Sequence, residues 1–405
     1  MHRTLLVVLV SFAPLAASPQ KVKVRVAAGK YLRHSTPTVA TIKPAHAILE
    51  AAGKNGIRCT ARIGNAVFPS QVELVLGSED LVRVHWLTAA LAAGQKSDVT
   101  LELEAGEATS GWKLETPESA GFTELSIRGR KVHRHVTAYD PKRPNQTYKP
   151  FLHVYDLTGS HLITKGPGGT YTHHRGIFLG WNRVSYGEGG KHKADFWHCK
   201  GVTIRHQKFV PTRSKGGVFH EVISINHWID GAETTVVRER RRVRTYCCGD
   251  DKTILDFSVT LEAIGSHPVR LNGDGHHAGF QFRAPQEAHR NSKQTVYVRP
   301  TSAAKQKNDM WGDCAWTLCR YKLGGKQTSV MYITAPTNPT PAVMSTRPYA
   351  RFGSFFKTVL QPKKPLHLRY RVIILRESAK KPLDIASLQA LYDDFANPLR
   401  GEPKR

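Results

Sequence analysis

The sequence predicts an all-β protein, a large antiparallel β-sandwich of the supersandwich-like kind, with a small N-terminal β-region and one C-terminal helix. Three observations carry this expectation. Short runs rich in Val, Ile, Phe and Tyr recur along the whole chain between turns of Gly, Pro, Asn and Asp, as in strands joined by hairpins. Strand-like and helix-like segments do not alternate, so a parallel sheet with crossover helices is not expected. Helical periodicity surfaces only once, near the end.

Taken in order, residues 1–18 have the layout of a secretory signal. Arg3 precedes an apolar run from Thr4 to Leu15, and Ala16, Ala17 and Ser18 are small. That run is too short to cross a bilayer about 30 Å thick as a helix. No later stretch is apolar enough to span, so an exported protein, periplasmic or extracellular, is expected. Residues 19–110 read as an N-terminal β-region. Lys21 to Ala27 alternates Val22, Val24 and Val26 with charged neighbours, and Gln71–Leu76, Leu81–Leu87 and Asp98–Leu103 follow. A cluster of Gly106, Ser110, Gly111 and Pro117 marks a soft boundary. Residues 111–378 supply the main sandwich, with strands expected at Gly121–Ile127, Lys131–Ala138, Phe151–Asp156, Gly176–Trp181, Val218–Trp228, Thr234–Thr245 and Thr253–Ala263. Ala278–Arg283, Thr295–Arg299, Cys314–Leu323, Ser329–Thr334, Phe352–Val359 and Leu366–Arg376 continue the series. Residues 379–405 hold the helix, where Ile385, Leu388, Leu391 and Tyr392 recur at helical spacing after Pro382, and then a polar tail expected to fray.

Charge narrows the partners. There are 59 Lys and Arg against 32 Asp and Glu, a net +27, and such a field draws in polyanions. Export disfavours nucleic acid, which leaves anionic polysaccharide or another cell-surface polymer. Arg238, Arg240, Arg242 and Arg244, spaced by two, fall on one face of a strand and read as a solvated face. The six cysteines lack CxxC spacing and read mainly as buried thiols. No phosphate-binding loop, dinucleotide fingerprint or nucleophile elbow is present, so the sequence assigns no cofactor.

The chemistry concentrates in two glycine-rich approaches to strands. The first runs through GPGGTYTHHRGIFLGW and on to KADFWHC, with Tyr171, His173, His174, Arg175, Trp181, Asp195, Trp197 and His198. The second is LNGDGHHAGFQFRA, with Asp274, His276 and His277. Loops held by rigid sheets are where binding groups collect. A sugar site needs aromatic faces and several polar groups. Tyr171, Trp181 and Trp197 suit the first need, and His173, Arg175 and His277 the second. A histidine opposed by a carboxylate suits acid–base work, so His174 or His276 is the expected acid–base group, with Asp195 or Asp274 opposing it. Two alternatives remain, a non-catalytic module binding through its basic face and a His-ligated metal site. The second is weaker, because neighbouring residues on a strand point to opposite faces and no spaced Cys/His framework exists, so no metal ligand is assigned.

The succession KPFLHVYDLTGSHLITKGPGGTYTHHRGIFLGW, then DFW, LDFSVTLEAI, WGDCAWTLCRY, SVMYITAPTNP and RPYARFGSF resembles a bacterial family catalogued as methane oxygenase PmoA-like, over roughly residues 60–376. The family's name belongs to a membrane-spanning oxygenase subunit, and this chain has no spans. The resemblance implies an exported β-rich protein. The chain departs from the family at Thr170, Tyr171 and Thr172, where an acid and a proline usually precede the paired histidines. By analogy of architecture, the expected sandwich is similar to that of galactose mutarotase-like proteins, in which sugar lies against one sheet beside His and an acid. Fold by itself does not decide function.

Overall fold

The computed structural model describes residues 18–404 except 53–55, 76, 119, 213–214, 308 and 379–381. The secretory-signal reading of residues 1–18 therefore falls almost wholly outside the described residues. The chain is 52% strand and 9% helix, an all-β sandwich fold as its hairpin pattern predicts. Among the described residues no helix is long and apolar enough to cross a membrane.

Two large sheets form the sandwich. One has ten strands, with Ala278–Arg283 paired between Ile177–Trp181 and Arg351–Phe355 near its middle. The other has eight, centred on Thr235–Cys248, Lys252–Ala263 and Leu366–Leu375. Period-2 alternation sends Ile177, Leu179, Phe280, Phe282 and Phe352 from the first sheet against Val243, Leu255, Phe257, Tyr370 and Val372 from the second. Contact is close: Phe280 stacks on Tyr370 with centroids 4.4 Å apart and meets Phe257 edge-on at 4.8 Å. The Tyr332 hydroxyl, buried in the same layer, donates to the Phe280 carbonyl at 3.0 Å, so its polar atom is satisfied.

Six strands between residues 20 and 105, joined by Lys215–Gly216 and Leu399–Pro403, form a separate closed sheet of eight strands with its own apolar core around Val24, Val84, Trp86, Val99 and Leu101. Ala66–Leu74 pairs with Ile57–Ile63 through its first half and with Val82–Thr88 through its second, which closes the sheet on itself and removes two edges. The tail corrects the expectation of fraying. Leu399–Pro403 is a strand inserted between Gln20–Ala27 and Thr36–Ile42. Leu399 and Gly401 face inward, and Gly401 is needed because a Cβ would strike the Val24 side chain. The predicted helix is Ile385–Ala396, capped by the Asp384 carboxylate, which accepts from Ser387 N. It lays Leu388, Leu391 and Phe395 on the outer face of the eight-stranded sheet.

The cysteines are free thiols, with Cys199, Cys314 and Cys319 buried. The arginine run needs correction as a uniformly solvated face. Arg238 and Arg240 are exposed, but Arg244 is largely covered and pairs with Glu221 at 2.8 Å and Glu73 at 2.9 Å.

Candidate functional site

On the ten-stranded sheet, Ile177, Leu179 and Trp181 point into the sandwich, so alternation turns Phe178 to the other side. There it packs with Phe151 and Trp197. Register places Gln281 beside Phe178, and in the next row Arg283 beside Arg351 and Arg351 beside Arg347. This outer face is the floor on which the two glycine-rich loops meet.

The first loop is clamped from both flanks. The Lys165 ammonium donates to the carbonyls of Gly166, Gly168, Tyr171 and His174, and burial lowers its pKa to about 8, with Arg283 and Arg175 adding to the shift. Arg175, wholly buried, donates to the carbonyls of Thr172, Gln146 and Asn145 and lies over the Tyr148 ring at 3.8 Å. Gly176 ends the loop at φ 44°, where a Cβ would strike the Leu152 carbonyl, so only glycine lets the chain enter the strand there. Tyr171 holds a left-handed φ of 56°, a conformation that costs a non-glycine residue about 1 kcal/mol. That strain keeps a half-exposed ring 5.1 Å from Tyr349.

Two carboxylates then orient two imidazoles by the same local device. Asp195 accepts from the backbone N–H of Trp197 and His198 at 3.0 and 2.8 Å and from His198 Nδ1 at 2.7 Å. Asp274 accepts from His276 N at 2.9 Å and His277 Nδ1 at 2.9 Å, and Asn182 Nδ2 donates to its other oxygen at 2.7 Å. Burial acts to raise the Asp195 carboxyl, but the hydrogen bonds from His198 outweigh it and hold it low. Asp274 behaves alike, with Asn182 and His277 outweighing burial. An ionised carboxylate on Nδ1 fixes the proton there and leaves Nε2 as the acceptor. The His198 and His277 rings lie 4.9 Å apart, and His173 sits 4.4 Å from His198 and 6.5 Å from His277. Burial, then the Lys149 charge, pushes His173 down to about 3, so it is neutral. Burial also lowers His277.

Around these rings the charge is positive. Lys149, Arg283 and Arg351 are buried at 2%, 0% and 1% exposure, and among the described residues none of them has a carboxylate partner. Lys149 donates to the Trp197 carbonyl, and burial lowers it to about 8. Arg351 donates to Gln281 Oε1 and Ser345 Oγ at 3.0 and 3.3 Å, while Arg283 donates to the Tyr349 carbonyl. Arg347 bonds the His276 ring and pairs with Asp309 at 3.7 Å.

The structure brings together His173, His174, Trp197, Asp195, Asp274, His277 and Tyr171, and redistributes several roles. Asp195 and Asp274 oppose His198 and His277, not His174 and His276. Both ring nitrogens of His174 are buried without a hydrogen-bond partner, wedged 5.7 Å from Trp197 and 6.2 Å from Tyr349, which suits a wall better than a proton donor. His276 turns to Arg347, its ring 6.0 Å from that of His277. Trp181 is not a sugar platform. It is fully buried between the sheets, packs on Trp228 and Phe356, and donates to the Phe356 carbonyl at 3.0 Å. Arg175 supports the loop and has no exposed surface for substrate. Among the described residues, no group of three or more His, Cys, Asp or Glu is arranged to hold a metal ion. His198, named in the first loop but given no role in the sugar site, and Tyr349, Arg347 and Arg351 were not predicted as sugar-site residues. A usable signal existed for the first, because Asp195–His198 and Asp274–His277 repeat one D-x-x-H spacing in two loops.

Residues 123–390 match the model of a family of unknown function, DUF6807, and the chain belongs to that family. The match takes in every residue of this site and both sheets beneath it except the edge strand Trp112–Glu115. No curated protein matches the chain.

Proposed function

We propose that this exported protein performs acid–base chemistry on an acidic or sulfated sugar at the two His–Asp pairs. The observation that carries the reading is the 4.9 Å approach of the His198 and His277 rings, each held by its own carboxylate and delivered by loops distant in sequence. Each ring, its Nδ1 held by its own carboxylate, has Nε2 free to take a proton from a substrate, and with a second ring beside it one can accept a proton while the other returns one. That is the division of labour an acid–base pair needs. Tyr171 and Tyr349 offer aromatic faces for a sugar ring. Three adjacent arginines and Lys149 favour an anionic group, since like charges set side by side on a sheet repel until an anion intervenes. The likeness to the PmoA-like family and to mutarotase-like sandwiches belongs to the same reading.

The test is a panel of uronate-bearing, sulfated and neutral oligosaccharides incubated with the full chain, with products resolved by mass spectrometry and NMR. Conversion of an acidic or sulfated member is expected, falling at least a hundredfold in His198→Gln and in His277→Gln. A wild type that leaves every anionic glycan unchanged would count against the proposal.

A further inference from the structure

On the opposite side of the sandwich, the outer face of the eight-stranded sheet forms the wall of a cavity of about 250 Å³. Its other walls are Thr38 and Val39 of the closed N-terminal sheet, and Phe395 and Leu399 from the C-terminal helix and strand. Three neighbouring strands deliver its floor in rows. Arg244 sits beside Asp256, and Asp256 beside Arg371. One row on, Arg242 sits beside Ser258, and Ser258 beside Arg369. All six residues line the cavity.

The two rows differ in one respect. In the first, an acid stands between the arginines: Asp256 accepts from Arg371 at 2.6 and 2.8 Å, and Arg244 has Glu221 and Glu73. Asp394, the remaining acid of the cavity, is taken by Arg33 at 3.3 Å. In the second row a hydroxyl stands where the acid would be. Arg242 reaches Ser258 Oγ at 3.3 Å and has Glu221 only at 3.7 Å, already shared with Arg244. Arg369 lies over the Phe395 ring at 5.0 Å and has no acidic partner among the described residues. The acids of the cavity are thus committed, and two guanidinium groups flanking one hydroxyl are left over.

We propose that the Arg242–Ser258–Arg369 row is a second binding site, for the carboxylate or sulfate of a small acidic molecule such as a sugar acid. The oxyanion takes the place that Asp256 occupies in the neighbouring row, accepting from both guanidinium forks and from the Ser258 hydroxyl. The volume holds about one sugar unit, below the usual range for larger ligands. Because its walls come from both the closed sheet and the sandwich, the ligand ties the two together. This site is independent of the His–Asp centre.

The test is isothermal titration of glucuronate, with glucose as the neutral control at matched ionic strength, into the full chain and its variants. Saturable binding of glucuronate and none of glucose is expected, and Arg238→Gln, an exposed arginine of the same strand paired with Glu262, keeps it. Arg242→Gln/Arg369→Gln weakens it at least tenfold. Ser258→Asp supplies the missing acid, so it removes the same share of binding as the double arginine variant and raises the melting temperature without ligand. The proposal is overturned if glucuronate does not bind, if the double arginine variant binds as the wild type does, or if Ser258→Asp binds unchanged.

Discussion

Replacing Asp195 by Asn tests the central geometry before any substrate is known. The carboxylate accepts three hydrogen bonds, two from backbone N–H at 3.0 and 2.8 Å and one from His198 Nδ1 at 2.7 Å. An Asn side chain of the same shape keeps its carbonyl oxygen on the two backbone donors. Its amide nitrogen then faces Nδ1 and can only donate, so the imidazole must carry its proton on Nε2. Only the bond to the ring changes. A hydrogen bond to a charged group contributes about 1.5–3 kcal/mol, and with Asp195 at 29% side-chain exposure the lower end applies, so the expected loss of stability is about 1–2 kcal/mol. Asp195→Ala removes all three bonds and should lose about 3 kcal/mol. Chemical denaturation reads both values, and ¹⁵N shifts of the His198 ring read the tautomer. The wild type is expected with the proton on Nδ1 and Asp195→Asn with it on Nε2. With the wrong nitrogen protonated, turnover of any substrate should fall by roughly two to four orders of magnitude. An unchanged tautomer in Asp195→Asn would refute the claim that this carboxylate orients the base.

Two further outcomes follow from burial. Trp181→Ala empties a fully buried site and strips the Phe356 carbonyl of its donor, so it should lose about 3–5 kcal/mol in denaturant unfolding; a loss under 1 kcal/mol would return Trp181 to the list of surface-accessible aromatics. Acid should weaken the fold well above the carboxylate range. Burial lowers His133 to about 3, His153 to about 4 and His173 to about 3. Groups depressed on folding bind protons better in the unfolded chain, so their stabilisation is complete above about pH 6.5 and is lost as pH falls toward those values. Asp394, pushed up to about 6 by burial against the pull of Arg33, works the other way below that pH. At about 1.4 kcal/mol per pH unit for fully buried His133 and less for the partly exposed His153 and His173, the net loss at pH 5.5 is about 2–3 kcal/mol, read as a melting temperature lower by several degrees than at pH 7.5. A flat profile between those pH values would mean that these rings are solvated.

Alternation made most of the sandwich legible. Lys21–Ala27, Thr234–Thr245 and Leu366–Arg376 as expected overlap Gln20–Ala27, Thr235–Cys248 and Leu366–Leu375 as found, because one face of each is apolar at period 2. Strands whose inward face is small or whose partners come from elsewhere were not visible. Thr203–Val210 reads as TIRHQKFV and Leu399–Pro403 as LRGEP, too polar to signal a strand. The second forms because two existing edges, Gln20–Ala27 and Thr36–Ile42, need a partner between them, and its own side chains contribute little beyond Leu399. Such a strand is specified by its neighbours' unpaired backbone groups, which no local window contains.

The candidate site was legible as a place and illegible as a set of pairings, for a related reason. Glycine, histidine and aspartate at two strand entrances mark loops that carry chemistry, and those loops do meet. Which carboxylate holds which ring depended on turns three residues long, and those favoured the histidine three positions on, His198 over the paired His173 and His174, and His277 over its neighbour His276. The arginines needed register as well as pattern. Arg283 is far in sequence from the hairpin pair Arg347 and Arg351, yet pairing aligns all three across three strands of the ten-stranded sheet. Arg242 and Arg369 are likewise brought to either side of Ser258 on the eight-stranded one. The net charge of +27 is therefore more than a diffuse halo on a basic surface. Part of it is gathered into rows on the two outer faces of the sandwich, and on the ten-stranded face, where Arg283 and Arg351 are buried, the desolvation that makes an unpaired guanidinium costly also makes an arriving oxyanion count for more.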